Sequence, residues 1–274
     1  MRQILPDEGS RKWRKTALDF QRADFETLRE HAAMVQQPTD LVIAPVELHK
    51  RHLKQRLSQA EEPLTAFDFT DGATVAKRLL DTADRSTQSL DRVDRLHLLD
   101  EILADEGPPR EFFEVLLGQD PTSDLKMVER TRSEIEAITN YHPKRVESYK
   151  EAAETLAPPI EADAHDVLDG VLRVERELRR RTEVAPTDTE LIRLATREIV
   201  ESNGSIWESA YPDIERVVVV GLSNVSASLI DLLTATARNT TVDAAIWLRP
   251  GTESALSSRL PLTVVADPGE VYAR

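Results

Sequence analysis

The sequence predicts an α/β fold, a parallel sheet interrupted by an all-helical insertion. Three observations carry this reading. Short continuous apolar runs that lead into helical patterns occur near both ends of the chain, and strands alternating with helices build parallel sheets through right-handed crossovers. Between them, over residues 91–205, the patterns are amphipathic and helical, with no convincing strand. The stretch "ERVVVVGLSNVSASLIDLLTATA", residues 215–237, reads as a buried strand that enters a helix through a tight turn. The expected division is residues 1–90 plus 206–274 for the α/β core and 91–205 for the insertion.

Taken in order, "DLVIAPVELHKRHLKQRL" opens on an apolar run, residues 41–46, broken by Pro45. It continues as a helix with Leu48, Leu53 and Leu57 on its inner face. "LTAFDFTDGATVAKRLLD" offers a strand at Ala66, Phe67 and Phe69, a turn at Asp71-Gly72, and a helix buried through Val75, Leu79 and Leu80. In the insertion, "DRVDRLHLLDEILADE" places Val93, Leu96, Leu99 and Leu103 on one stripe. "REFFEVLLG" ends at Gly118, and "PTSDLKMVERTRSEIEAITNYH" has Ser123 in a capping position. "RVESYKEAAETL" stops before Pro158-Pro159, "DAHDVLDGVLRVERELRRR" is a long charged helix, and Thr187 with Glu190 signals a cap for the next. After the 215–237 unit, residues 244–248 and 262–266 read as two further strands, which makes five.

Composition narrows the function. The chain has no cysteine, which excludes disulfides, thiolate zinc sites and cysteine nucleophiles. No apolar run reaches the roughly 18 residues of a membrane span, and "RQILPDEGSRKW" lacks the apolar stretch of a secretory signal. A cytoplasmic protein without membrane partners is expected. Asp and Glu number 49 against 35 Lys and Arg, a net charge of −14, and only 8 of the basic residues are Lys. An acidic, lysine-poor chain resembles the proteins of salt-in halophiles, which excess carboxylates keep soluble. In molar salt the Debye length is about 3 Å, so the negative charge does not decide against nucleic acid.

The strand tip in the 215–237 stretch is Gly221, where nucleotide-hydrolysing α/β proteins place an acidic residue for magnesium. A phosphate cradle needs G-x-x-x-x-G-K-[ST], because glycines let backbone N–H groups close on phosphate and the Lys reaches its far end. The first forty residues hold one glycine and no such pattern. ATP hydrolysis, a bound cofactor and a catalytic set are therefore not expected. "GLSNV" approaches a G-x-S-x-G nucleophile elbow, but Val225 replaces the second glycine and the last histidine is His165, before the serine. Gly221 alone does not make a dinucleotide fingerprint. The turn offers Gly221, Ser223 and Asn224 either as an anion site at a helix N-terminus or as a plain turn and helix cap.

The order of these units, a strand before "APVELHKRHLKQRL", a strand and helix near "AFDFTDGATVAKRLL", a helical insertion, then "IERVVVVGLSNVSASLIDLL", resembles the N-terminal part of superfamily 1 UvrD-like helicases. The nearest likeness is the B subunit of AddAB-type helicase-nucleases, whose helicase domains no longer work as a motor. The likeness covers residues 41–248. It implies P-loop-NTPase-like winding without a functional P-loop, a degraded magnesium position at Gly221, and a role in DNA repair or end processing. It further implies that Pro45, Val46, Glu47 and His49 match the segment that touches the single-stranded DNA backbone, with Arg51 and Lys54 beside them. No strand-borne Asp followed by E-x-K appears, so the family's nuclease site is not expected here.

Other constellations are weaker. His49 and His52 stand at i, i+3 without a third ligand at a compelling spacing. Arg173, Arg176 and Arg179 to Arg181 make a basic helix end that suits nucleic acid, an acidic partner or the helix dipole alone. The expected function is an inactive helicase-like domain that binds single-stranded DNA, a UvrD- or RecB-like motor or a nuclease subunit. The alternatives are a protein-interaction scaffold, or an enzyme with a small-molecule site at the strand carboxyl ends.

Overall fold

A computed structural model describes residues 18–22, 25–32, 38–44, 47–158, 160–222, 226–248 and 264–271. Five strands, β1 (Asp19–Arg22), β2 (Asp40–Ile43), β3 (Phe67–Thr70), β4 (Arg216–Leu222) and β5 (Asp243–Leu248), form one sheet in the order β1-β5-β4-β2-β3. Every pairing is parallel, as the sequence predicts. The reason lies in the strands. Leu41 and Ile43 of β2 and Val217 and Val219 of β4 enter one core, while Val42, Val218 and Val220 enter another. A strand buried on both faces is apolar at consecutive positions, the signature of a parallel sheet covered by helices.

One face carries α1 (Phe25–Ala32) and α2 (Glu47–Gln59); the other carries α3 (Gly72–Thr82), α9 (Asp188–Glu201), α10 (Ser205–Ala210) and α11 (Ala227–Asn239). From β1 to β2 to β3 the chain steps one way across the sheet over the first face. From β3 to β4 to β5 it steps back over the second. Reversing direction and face together keeps a single crossover hand. The connections leave β2 and β4 to opposite sides, which places a switch-point crevice between their carboxyl ends.

Two strand assignments change. β1, "DFQR", is a short polar edge strand without the apolar run that marks β2, β4 and β5. Val264 and Val265, expected in a last strand, have no ladder; the Val265 carbonyl instead accepts from Arg238 Nη1 at 3.0 Å.

The helical unit comprises α4 (Arg92–Ala104), α5 (Pro108–Leu117), α6 (Leu125–Thr139), α7 (Pro143–Ala153) and α8 (Ile160–Arg181) around its own core of Leu99, Phe113, Val128, Leu168 and Val174. α9 falls inside the 91–205 range by sequence, yet its Leu191, Ala195 and Ile199 join the sheet's core. Thr187 caps α9, accepting from Glu190 N at 3.0 Å. α5 ends on Gly118 at φ +65°. The cap of α6 is Asp124 rather than Ser123, because a carboxylate in that position reaches Met127 N. Leu48 and Val93 lie outside their predicted stripes, 72% and 74% exposed. Leu48 precedes Leu53 by five residues, about 140° around a helix of 3.6 residues per turn.

α3 shows how tightly a strand tip is tied to its helix. Asp71, at the carboxyl end of β3, accepts from Thr74 N at 2.8 Å and from Thr74 Oγ1 at 2.9 Å. Asp71→Ala is expected to cost about 1 kcal/mol in a urea titration, with no change in the slope of the transition.

Candidate nucleic-acid interface

The carboxyl ends of the strands are where a P-loop fold would hold nucleotide. β1 stops at Arg22 and α1 starts at Phe25, so two residues, Ala23 and Asp24, join them. Neither is glycine, and no glycine anywhere in the chain precedes a lysine. A backbone cradle of eight residues has no place at that junction. At the tip of β4 the register passes from Val220 opposite Trp247 to Leu222 opposite Leu248, which leaves Gly221 as an unpaired bulge. Gly221 thus bends the strand rather than making the turn predicted for it, a normal use of glycine within a sheet. The N-cap position of α11 is Ser226, whose side chain makes no capping hydrogen bond; Ser223 and Asn224 lie outside the described residues. Among the described residues β4 ends on Gly221 and Leu222, with no carboxylate at its tip.

The predicted DNA segment starts at the same crevice. Pro45 and Val46 lie outside the described residues. Glu47 opens α2 and pairs with Lys50 at 2.6 Å and Arg51 at 3.9 Å. Arg51 is 79% exposed, and Lys54 Nζ lies 5.4 Å from the centre of the Phe69 ring. His49 is half-buried and His52 exposed. Leu48, Arg51, His52 and Gln55 therefore make an exposed ridge, backed by Leu53 and Leu57 in the core. Exposed pairs such as Glu47 with Arg51 contribute about 0–1 kcal/mol.

The arginines of α8 divide. Arg173 and Arg176 are exposed. Arg180 and Arg181 both donate to Glu177, whose carboxyl these hydrogen bonds hold down to about 2. Arg179 turns inward, to Glu175 at 2.9 Å and Glu190 at 2.9 Å. It joins a buried ionic seam between the helical unit and the sheet layer that sequence reading missed. Arg132, 1% exposed, donates to Glu129 at 2.8 Å, Glu175 at 2.9 Å and Glu136 at 3.2 Å. Arg193 donates to Glu136 at 3.0 Å, to Glu190 and to Asn140 at 3.1 Å. Arg145 forms a two-pronged pair with Asp231 of α11 at 2.6 and 2.9 Å, and Asn140 Nδ2 donates to the same carboxylate at 2.7 Å.

Burial raises the Glu136 carboxyl in spite of Arg132 and Arg193. Burial acts the same way on Glu175, but Arg132 and Arg179 outweigh it and hold that group down. Glu136, Glu175 and Glu190 offer oxygens within 4.8 Å of one another, a spacing that invites a metal reading. Arg132, Arg179 and Arg193 already occupy them, three cations on three carboxylates, so the cluster is an ion-pair lock. A cleft of about 450 Å³ opens beside it, lined among others by Lys77, Arg92, Ser133 and Asp188.

A family model for a halobacterial UvrD-like protein matches residues 7–273. The chain belongs to the halobacterial UvrD-like protein family. No curated protein matches the sequence. The family agrees with the superfamily to which the motifs point and with the acidic, lysine-poor composition. Among the described residues no helix is long and apolar enough to cross a membrane.

Proposed function

We propose that this chain is a helicase-related, AddB-like module that binds single-stranded DNA at the α2 ridge, beside a motor or nuclease subunit, without hydrolysing ATP. The carrying observation is the strand–helix junctions. A parallel sheet from a UvrD-like family keeps its switch-point crevice, while the β1–α1 junction is too short to cradle phosphate and β4 ends on Gly221 and Leu222. What remains at the crevice is a binding surface, with Leu48 exposed for base contact and Arg51 and His52 for the backbone. Base stacking and apolar contact survive high salt better than phosphate pairing does.

The test is fluorescence anisotropy of labelled single-stranded and duplex DNA over a KCl series, with and without ATP and magnesium. Single strands should bind with an affinity that ignores ATP. Changing Arg51 and Lys54 together to Glu should weaken binding for all sequences alike and flatten the salt slope, by about 0.7 per lost contact. Failure to bind either DNA rejects the DNA reading.

A further inference from the structure

Val171, Val174 and Leu178 of α8 enter the core of the helical unit, while Asp163, Asp166, Asp169, Arg173, Arg176 and Arg180 are exposed. At about 3.6 residues per turn, the last five of these fall within about 80° of the helix circumference, with Asp163 about 60° to one side. The outward stripe is wholly charged. It is acidic along its first half and basic along its second.

The helix dipole does not account for this order. Its pull on side chains fades within the first and last turns, where it covers Arg180 and its neighbours. Asp166, Asp169, Arg173 and Arg176 stand in the interior of a helix of 22 residues. Nor are they used in pairs inside the chain. Arg179, Arg180 and Arg181 have carboxylate partners, whereas among the described residues Asp166, Arg173 and Arg176 have no ion pair, and Asp169 meets Lys150 at 3.9 Å. In a chain with 49 acidic and 35 basic residues, adjacent arginines left without a carboxylate mark a face that the fold itself does not complete.

We propose that a second copy of the chain completes this face, α8 packing antiparallel on α8 about a two-fold axis. An interface that pairs one patch with itself must be self-complementary, and the stripe is. A two-fold axis beside Val171 sets Asp169 opposite Arg173 and Asp166 opposite Arg176 in a single register, and symmetry repeats each pair. The same register brings Arg180 within one residue of the position opposite Asp163. Parallel packing would set aspartate on aspartate and arginine on arginine, so the charges fix the orientation as well as the partner. Each exposed pair is weak on its own, and molar salt weakens it further. The dimer is accordingly reversible and tightens as KCl is lowered. A nucleic acid would use the basic half alone and be repelled by Asp166 and Asp169.

Sedimentation velocity of the full chain over a range of protein concentration tests this, in molar KCl and at lower KCl where circular dichroism shows the fold intact. A monomer–dimer equilibrium that shifts toward dimer at lower salt is expected. Two double variants, Arg173→Asp with Arg176→Asp and Asp166→Arg with Asp169→Arg, each place like charges across the axis. Each should weaken self-association by at least about tenfold. All four positions are exposed, so the circular dichroism of both variants should stay that of wild type. Mixed in equal amounts, the acid-rich and the arginine-rich stripes are complementary again and should form a heterodimer. A wild type that stays monomeric at every concentration, variants that associate as wild type does, or a mixture that stays monomeric would each overturn the proposal. Loss of single-stranded DNA binding in the arginine variant of a chain that does not dimerise would also overturn it, and would assign the basic half to phosphate.

Discussion

Arg132→Leu is expected to destabilise the protein by about 3–5 kcal/mol, because it strips a buried cation from carboxylates that stay behind. Glu175 and Glu136 are each almost wholly inaccessible and would keep only Arg179 and Arg193. Chemical denaturation in molar KCl measures the loss. The deficit should shrink as pH falls, since the Glu136 carboxyl already lies above its usual range: a group raised in the folded state takes up its proton before the unfolded chain does, and protonation removes the stranded charge. Adding Glu136→Gln, which removes one carboxylate for the one cation lost and leaves Arg179 and Arg193 with Glu175 and Glu190, should recover part of the stability. A deficit below about 1 kcal/mol, or no recovery in the double variant, would show that the seam does not bear on stability.

Gly204→Ala is the second large effect. Gly204, between α9 and α10, has φ +84°, and a Cβ there would lie 2.0 Å from the Asn239 carbonyl oxygen at the end of α11. The left-handed conformation costs a non-glycine residue about 1–2 kcal/mol, and forced overpacking adds about 1–3 kcal/mol. Backbone cannot swing aside as a side chain can. Gly118 is the control: its φ is +65° with nothing within 4 Å of a Cβ, so Gly118→Ala should show the conformational cost alone. Melting temperatures of the two variants separate the terms, and equal losses would refute the close approach.

β2, β4 and β5 were legible because burial on both faces writes itself as consecutive apolar residues, and β3 because Phe67 and Phe69 alternate just before the Asp71-Gly72 turn. β1 was not, since a four-residue edge strand reading Asp-Phe-Gln-Arg has no such signal. Val264 and Val265 have the composition of a strand, but the Val265 and Ala266 carbonyls bond to Arg238 instead of a neighbouring strand. Gly221 was recognised as the tip of its unit, and only the ladder register reveals a bulge there. The seam was hidden for a different reason. Arg132 and Glu175 are 43 residues apart and Asn140 and Asp231 are 91 apart, and on one helix a buried arginine reads like an exposed one. Arg179 illustrates this: a residue taken for a basic helix end has Glu175 and Glu190 as its partners.

The central claim, a UvrD-like sheet that has given up nucleotide chemistry, is tested most directly by thermal unfolding with and without ATP and magnesium, alongside phosphate release in the presence of single-stranded DNA. A ligand that binds only the folded state at 100 times its dissociation constant adds about 2.7 kcal/mol of stability, a shift of several degrees for a chain of this size. The account predicts no shift in melting temperature and no phosphate released above the protein-free rate. A shift of several degrees with DNA-stimulated phosphate release would contradict it.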